Sequence, residues 1–313
     1  MPRAERRELA FGWKLAPKAD GRFDLIDGQS IDADVYYDGE GTSASRPVAL
    51  YFHGGNFVSG SKELLGKLHI QKLLEFGFVV VSANYRLCPT ISLADGPVSD
   101  ALDAYQWVRE RLPTVLKEQT GVSLDVKKIV VFGHSCGATL ALLTPPLAIL
   151  DIFGMKYLQD PAFHTASENR GPPIDEAFVN QVFQQVPAPS TAAPPMTATG
   201  PDLKNPRIAW MFSALKKGAL IESIVADSNY ETVDPAFLFK RKFPPTYFIH
   251  GTADTLVPHK LSQEAHDELV VARRESHLVL VEGAPHGLDA RMQEGDDTYR
   301  TIVKGLEFLK AHI

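Results

Sequence analysis

The sequence has little cysteine, no long apolar run and no excess of basic residues. Only Cys88 and Cys136 are cysteines among its 313 residues. Two cysteines are too few for a disulfide framework, and no Cys/His cluster has metal-ligand spacing, so we expect a reducing compartment and no metal site. No internal repeat is visible, and a chain of about 300 residues can bury a stable core without covalent staples.

The charge pattern and the N-terminal residues restrict the classes of partner that we expect this protein to bind. No uninterrupted apolar stretch approaches about 18 residues, and the first ten residues are charged with no apolar segment behind them. Counting 32 Lys and Arg against 38 Asp and Glu gives a net charge of −6. An acidic chain is a poor ligand for phosphate backbones. We expect a soluble cytoplasmic protein without membrane or nucleic-acid partners.

Apolar runs of strand length alternate with helical patterns, which is typical of an α/β fold with a mostly parallel central sheet flanked by helices. The stretch 23–37 alternates and contains Asp27-Gly28, a hairpin signal that predicts antiparallel edge strands. The apolar runs after this stretch do not alternate between apolar and polar residues, which indicates strands buried on both faces. The predicted strands are 47–52, 78–83, 128–133, 147–153, 246–250 and 278–281. The predicted helices are 61–76, 97–112 (from Pro97 to just before Pro113), 138–143, 259–274 and 296–311.

The interval 156–243 breaks this rhythm. It contains Gly171-Pro172-Pro173 and six prolines among residues 187–206, while 176–186 and 208–225 have helical patterns. A structureless loop of this length is improbable inside a domain. We expect residues 1–155 and 244–313 to form the core and 156–243 to form an inserted cap or lid, partly helical with a mobile Pro-rich segment. A solvated linker is the alternative.

The segment Gly133-His134-Ser135-Cys136-Gly137 follows a buried strand and begins a helix. This is the context in which G-x-S-x-G presents a nucleophile on a strained turn, and glycines on both sides leave room for it. Ser135 is therefore the predicted nucleophile, although a serine that only caps a helix would give the same local pattern.

A serine nucleophile needs a base and an orienting carboxylate, in the chain order Ser, acid, His for a turn of this kind. Asp254 follows strand 246–250 and His286 follows strand 278–281. Both therefore lie beyond strand ends at the edge where Ser135 emerges, and we predict them as acid and base. Asp289 is too close in sequence to His286, and two other aspartates precede the strand. Among the other histidines, we interpret His250 and His277 as structural, and His69, His259 and His266 as solvated on helix faces. His164, in the cap, could contact substrate.

Backbone N–H groups must stabilise the oxyanion that develops during acyl transfer. Gly54 and Gly55 follow strand 47–52 and can approach a ligand closely, and Cys136 follows the nucleophile. We predict their three amides as the oxyanion hole, with an unreactive Cys136 thiol. A plain tight turn is the alternative reading of the glycine pair. Asn56 and Phe57, beside the glycines, are predicted to contact substrate.

Together these segments resemble the α/β-hydrolase superfamily, and within it the hormone-sensitive-lipase-like (α/β-hydrolase fold-3) esterases of fungal type. The resemblance implies hydrolysis of a small to medium carboxylic ester through an acyl-enzyme, with no metal or cofactor. Departures from the family pattern are Asn56 in place of a third glycine, Asn84 and Cys88 in the following motif, and Cys136 in place of alanine. The segments that carry the resemblance are H-G-G-N-F-V-S-G at 53–60, N-Y-R-L-C-P at 84–89, G-H-S-C-G at 133–137, G-T-A-D-T-L-V-P at 251–258 and A-P-H-G at 284–287.

Resemblances to other proteins of this fold leave three alternative functions open. G-H-S-C-G-A-T-L is also similar to the nucleophile segment of fungal kynurenine formamidases, which implies an arylformamide substrate. The Pro-rich lid is similar to those of fungal hydrolases of secondary metabolism that release, lactonise or transfer acyl chains. A non-catalytic ligand-binding protein, as among plant hormone receptors of this fold, is disfavoured because Ser135, Asp254 and His286 are all present.

Overall fold

An eight-stranded sheet organises the residues that the computed structural model describes, which are 18–24, 30–38, 44–166 and 175–313. The strand order is β1-β2-β4-β3-β5-β6-β7-β8. β1 pairs with β2 and β2 with β4 in antiparallel register, whereas all other neighbours are parallel. The strands are β1 (Lys18–Asp24), β2 (Ser30–Tyr36), β3 (Arg46–Phe52), β4 (Val79–Ala83), β5 (Leu124–His134), β6 (Ile149–Ile152), β7 (Thr246–Gly251) and β8 (Ser276–Val281).

This sheet confirms the predicted fold class and the antiparallel edge. β1 begins at Lys18, five residues before the alternating pattern that suggested it. Asp27-Gly28, the predicted hairpin turn, lies outside the described residues.

The apolar strands are buried on both faces, and alternate residues contribute to two cores. On β3, Val48 and Leu50 join one core, while Ala49 and Tyr51 join the other. Helices α2, α3, α4 and α9 contribute to the first core, and α1 and α10 to the second. The helices are α1 (Lys67–Glu75), α2 (Ser99–Glu110), α3 (Leu112–Thr120), α4 (Cys136–Leu142), α5 (Pro161–His164), α6 (Glu176–Val179), α7 (Pro206–Lys217), α8 (Leu220–Ile224), α9 (Lys260–Val271) and α10 (Asp297–Ala311).

Two helical predictions in the part of the chain before β5 need correction. The segment 61–76 is a 3-10 turn at Lys62–Leu64 followed by α1, because Leu65 is extended and Gly66 caps the helix without helical backbone angles. The segment 97–112 starts earlier, in a π-helical turn at Ala94–Val98. Pro113 does not end helical structure, because it occupies the first turn of α3, where its missing N–H costs nothing.

The chain between β6 and β7 carries helices α5 to α8. The predicted helix 208–225 is two helices, since Gly218 adopts a left-handed conformation (φ 66°) that ends α7. The predicted helix 176–186 is α6 followed by a 3-10 turn at Asn180–Gln184. Further 3-10 turns lie at Ala226–Ser228, Tyr230–Thr232 and Pro235–Leu238.

The Pro-rich part of this chain is hydrogen-bonded to the core. The Ala192 N–H donates to the Gly60 carbonyl at 3.0 Å, and the Gly60 N–H donates to the Ala193 carbonyl at 3.2 Å. The Leu87 N–H donates to the Pro189 carbonyl at 2.8 Å. The segment therefore lies against the loop that follows β3, while its mobility and the division of the chain into core and cap stay predictions.

Within the described residues, none of the helices combines the length and the apolar character needed to cross a bilayer.

Candidate active site

Ser135 lies on a strained turn between β5 and α4. Its backbone angles are φ 53° and ψ −128°, which lie outside the regions that residues other than glycine ordinarily adopt. The turn needs glycine on both sides, because a Cβ on Gly133 would lie 2.4 Å from the Gly137 carbonyl carbon. A Cβ on Gly137 would lie 2.2 Å from the Phe52 carbonyl oxygen. These close backbone contacts hold the Ser135 side chain at the end of the sheet.

Ser135, His286 and Asp254 form one hydrogen-bonded row. The Ser135 hydroxyl oxygen lies 3.1 Å from His286 Nε2, and His286 Nδ1 lies 2.7 Å from Asp254 Oδ2. The Phe153 ring packs against the imidazole with centroids 4.8 Å apart. A base within hydrogen-bond reach of a hydroxyl, itself oriented by a carboxylate, is the arrangement that nucleophilic catalysis requires.

Asp254 is buried, and its carboxylate accepts several hydrogen bonds from protein groups. Burial alone would raise its pKa, but hydrogen bonds from His250 and His286 and from the Val257 N–H outweigh this and hold the pKa well below its usual range. Its other oxygen accepts from the N–H groups of Leu256 and Val257 at 2.8 and 2.9 Å. The carboxylate therefore stays ionised and fixed in orientation toward His286.

His250, which the sequence placed among the structural histidines, contacts the same carboxylate. Its Nε2 lies 2.9 Å from the Val257 carbonyl and 3.2 Å from Asp254 Oδ2, so this nitrogen carries the proton and donates. Its Nδ1 then accepts from the Ser262 hydroxyl at 2.7 Å. The sequence feature that could have indicated this contact is the H-G-x-x-D spacing, because the turn after β7 brings Asp254 back to His250 at the end of that strand.

The donor chain continues to a buried ion pair. Lys156 Nζ donates to the Ser262 hydroxyl at 2.8 Å and lies 3.0 Å from Asp151 Oδ2, with both side chains fully buried. Lys156 also donates to the Gly154 carbonyl at 2.7 Å, and the donors of Ser262 and His250 continue from the lysine to Asp254. The positive charge of the lysine therefore polarises a continuous row of groups that ends at the carboxylate.

The loop after β3 lies against the nucleophile turn. A Cβ on Gly54 would come 3.3 Å from the Ser135 Cβ, and one on Gly55 (φ 125°) would come 2.1 Å from the Ser59 carbonyl oxygen. Asn56 and Phe57 also have positive φ, at 57° and 62°. Gly54 thus lies beside Ser135, and the next residue, Gly55, has a backbone conformation that other residues would strain.

Cys136 supports this loop through its side chain. Its Sγ accepts the Phe57 N–H at 3.1 Å, and the Tyr85 hydroxyl, which donates to the His53 carbonyl, lies 3.6 Å away. Burial raises the pKa of the thiol to about 11. The thiol is therefore protonated at neutral pH, in line with the unreactive role expected for it.

Of the two predicted substrate contacts, Phe57 is fully buried in the core. Asn56 is half-buried, and its side-chain amide lies 3.8 Å from Met211 Sδ on α7. Arg207, one turn earlier on α7, is buried and donates to the carbonyls of Val58 and Cys88. Helix α7 therefore covers the loop that carries Gly54 and Gly55.

Over residues 33–269 the sequence matches the profile of the BD-FAE family of α/β-hydrolases. The match includes Ser135 and Asp254 and ends before His286. The non-reducing polyketide synthase prhL of Penicillium brasilianum is 29% identical over 342 residues, which covers 94% of this chain and 14% of that protein. The chain thus spans about one seventh of the length of the curated relatives it matches.

Two solved structures have a similar fold. EstE1, a thermostable carboxylesterase from a metagenomic library, is 19% identical with a TM-score of 0.65, over 95% of this chain and 90% of that one. Thermogutta terrifontis esterase 2 phosphorylated by paraoxon is 19% identical with a TM-score of 0.61, over 93% and 91% of the two chains. At this identity the likeness establishes the fold.

Proposed function

Because this chain belongs to the BD-FAE family of α/β-hydrolases, we propose that it is a serine hydrolase that cleaves a carboxylic ester of a small to medium substrate through an acyl-enzyme. The observation that carries the proposal is the row from Ser135 Oγ to His286 at 3.1 Å and on to Asp254 at 2.7 Å. Those contacts supply a nucleophile, a base and an orienting carboxylate in one place.

In the first half-reaction, the Ser135 oxygen attacks the ester carbonyl while His286 Nε2 takes its proton. Asp254 stabilises the imidazolium that forms, and the amides of Gly54, Gly55 and Cys136 stabilise the oxyanion. His286 then protonates the departing alcohol, which leaves Ser135 acylated. In the second half-reaction, water loses a proton to His286, attacks the acyl carbon and releases the acid.

A second function is favoured by the relatives. Curated relatives of this chain are polyketide synthases, and they match over nine tenths of it. On that basis, the acyl group that reaches Ser135 is a polyketide chain carried as a thioester or ester. Water would release it as an acid, while a hydroxyl of the same chain or of a second molecule would give a lactone or a new ester.

The first experiment tests the serine mechanism. We expect p-nitrophenyl esters from acetate to decanoate to be hydrolysed with a preferred chain length, and a fluorophosphonate probe to label the protein. Ser135→Ala should lose both, whereas Ser223→Ala, on the exposed face of α8, should keep both. Turnover or labelling that persists in a folded Ser135→Ala variant contradicts the proposal. No turnover and no labelling of the unaltered protein favours a binding protein.

The second experiment separates the substrates. An aromatic acyl thioester of N-acetylcysteamine, its ethyl ester and an N-formyl arylamine are compared at equal concentration, with and without an added alcohol. A higher kcat/KM on the thioester supports chain release, and an ester product formed with the alcohol supports acyl transfer. Preference for the formyl arylamine identifies an arylformamidase with the same nucleophile.

A further inference from the structure

Three potential metal-ligating side chains meet behind the nucleophile turn. His69 comes from α1, His134 from the end of β5, and Asp289 from the loop between β8 and α10. His134 Nε2 lies 2.8 Å and His69 Nε2 lies 3.2 Å from the same oxygen, Asp289 Oδ2. The ligating atoms of all three residues lie within 4.8 Å of one another. The row from Ser135 to Asp254 uses none of these side chains.

The sequence pattern predicts that His69 is a solvated helix residue, and it predicts no metal site. The structure corrects the first point, since His69 is 1% exposed. It lies on the face of α1 that packs on the sheet, against the His134 ring at a centroid distance of 5.1 Å and an interplanar angle of 87°. The three residues are separated by 65 and 155 positions (134 − 69 and 289 − 134), so no spacing motif could reveal them.

These contacts do not have the geometry of ordinary hydrogen bonds. Both ring nitrogens of His69 and the Nε2 of His134 are buried without a hydrogen-bond partner. The two Nε2 atoms lie at ion-pair distance from the carboxylate oxygen, and His69 Nδ1 has no hydrogen-bond partner. Buried polar groups without partners are rare in native proteins and need an explanation.

A metal ion between the three side chains supplies that explanation. Bonds of about 2.0–2.2 Å at tetrahedral to octahedral angles place neighbouring ligand atoms about 2.8–3.6 Å apart, which matches the two nitrogen–oxygen separations. His134 Nδ1 also lies 3.0 Å from the Tyr51 hydroxyl. A metal-ligating histidine characteristically donates its other N–H to such a partner, which leaves the first nitrogen free to bind the ion.

We propose that His69, His134 and Asp289 form a binding site for a divalent transition-metal ion of the zinc type. Two imidazoles and one carboxylate are ligands that Zn²⁺ binds readily, and three protein ligands leave one position for water. The ion would join the residue before Ser135 to the loop that carries His286, three positions before Asp289. It lies outside the row of reacting groups and holds the two halves of that row together.

Metal binding to the full-length protein tests this proposal without reference to activity. Protein treated with EDTA and dialysed is titrated with ZnCl₂ in competition with a chromophoric chelator, and the thermal unfolding midpoint is followed with and without Zn²⁺. We expect one site per chain and a higher midpoint with the metal. Asp289→Asn and His69→Ala should each weaken binding at least tenfold and remove the thermal shift.

The control is a histidine–glutamate group near the surface of the same protein, in which His312 is half-buried and the other two side chains are exposed. His312 Nε2 lies 3.3 Å from Glu275 Oε2, and His277 Nε2 lies 3.5 Å from Glu275 Oε1. His312→Ala should leave the one tight site unchanged. The proposal is overturned if no such site exists, if it survives in both cluster variants, or if His312→Ala removes it. Asp289→Asn keeps the size of the side chain, so it answers the question even where His69→Ala fails to fold.

Discussion

Lys156→Met removes the cation from the buried ion pair and leaves Asp151 without its charged partner. The two groups lie 3.0 Å apart and neither side chain is exposed. Removing one member of such a pair costs about 3–5 kcal/mol, because the remaining charge stays buried without compensation. Ser262 also loses the donor that holds its hydroxyl toward His250. We therefore expect the free energy of unfolding to fall by about 3–5 kcal/mol.

The measurement is urea unfolding at pH 7 followed by circular dichroism, with the same substitution at Lys260 as the control. Lys260 Nζ also lies 3.0 Å from a carboxylate, that of Asp160, but the lysine side chain is 61% exposed. Exposed pairs contribute about 1 kcal/mol or less, so Lys260→Met should change stability little. Equal losses in the two variants would refute the argument that burial makes the Lys156 pair costly to break. The double variant Asp151→Asn/Lys156→Met should recover part of the loss.

Three further predictions follow from the site. Gly137→Ala should abolish activity and lower the unfolding midpoint, because its Cβ would lie 2.2 Å from the Phe52 carbonyl oxygen; unchanged activity would contradict the clash. Burial lowers the pKa of His53 to about 4, so between pH 6.5 and 4 the unfolded chain takes up a proton that the folded protein does not. Stability should therefore fall by up to about 3 kcal/mol as the pH drops through that interval, and urea unfolding of His53→Gln should show a flatter pH dependence. His250→Leu should lower kcat/KM about tenfold and shift the acid limb of the pH–rate profile to higher pH, because Asp254 loses a hydrogen-bond donor. His250→Gln keeps an N–H donor and should recover part of both effects. No recovery would contradict a hydrogen-bonding role for His250.

The parallel strands could be predicted because burial on both faces removes the usual alternation. β3, β4 and the second half of β5 are apolar runs, and their positions follow from that property. The first half of β5 carries Asp125, Lys127 and Lys128, and the apolar pattern does not predict it. The positions of Asp254 and His286 beyond the ends of β7 and β8 also follow, because parallel strands bring their carboxyl ends to one edge of the sheet. The contacts of His286 with Ser135 and with Asp254 agree with that placement, while the catalytic roles stay proposals.

Burial and contacts that depend on tertiary packing or on irregular turns could not be predicted. His69 lies on a short helix whose polar and apolar residues alternate loosely, so only the packing of α1 on the sheet decides that it is buried. His250 lies inside a strand pattern, and its contact with Asp254 depends on the turn between them. Phe57 follows two glycines, and three successive positive φ values turn its side chain into the core. No local periodicity encodes these outcomes.

The hydrogen bonds between the Pro-rich segment and the loop after β3 have a consequence for protein engineering. The segment leaves the sheet after β6 and returns at β7, so exchanging it with that of a relative is topologically simple. However, Gly60 both donates to and accepts from this segment, and Leu87 donates to it as well. A transplanted segment must bring matching carbonyl and N–H groups to these positions. Grafts chosen on length or hydrophobicity alone would alter the loop that carries Gly54 and Gly55, and so would change turnover together with specificity.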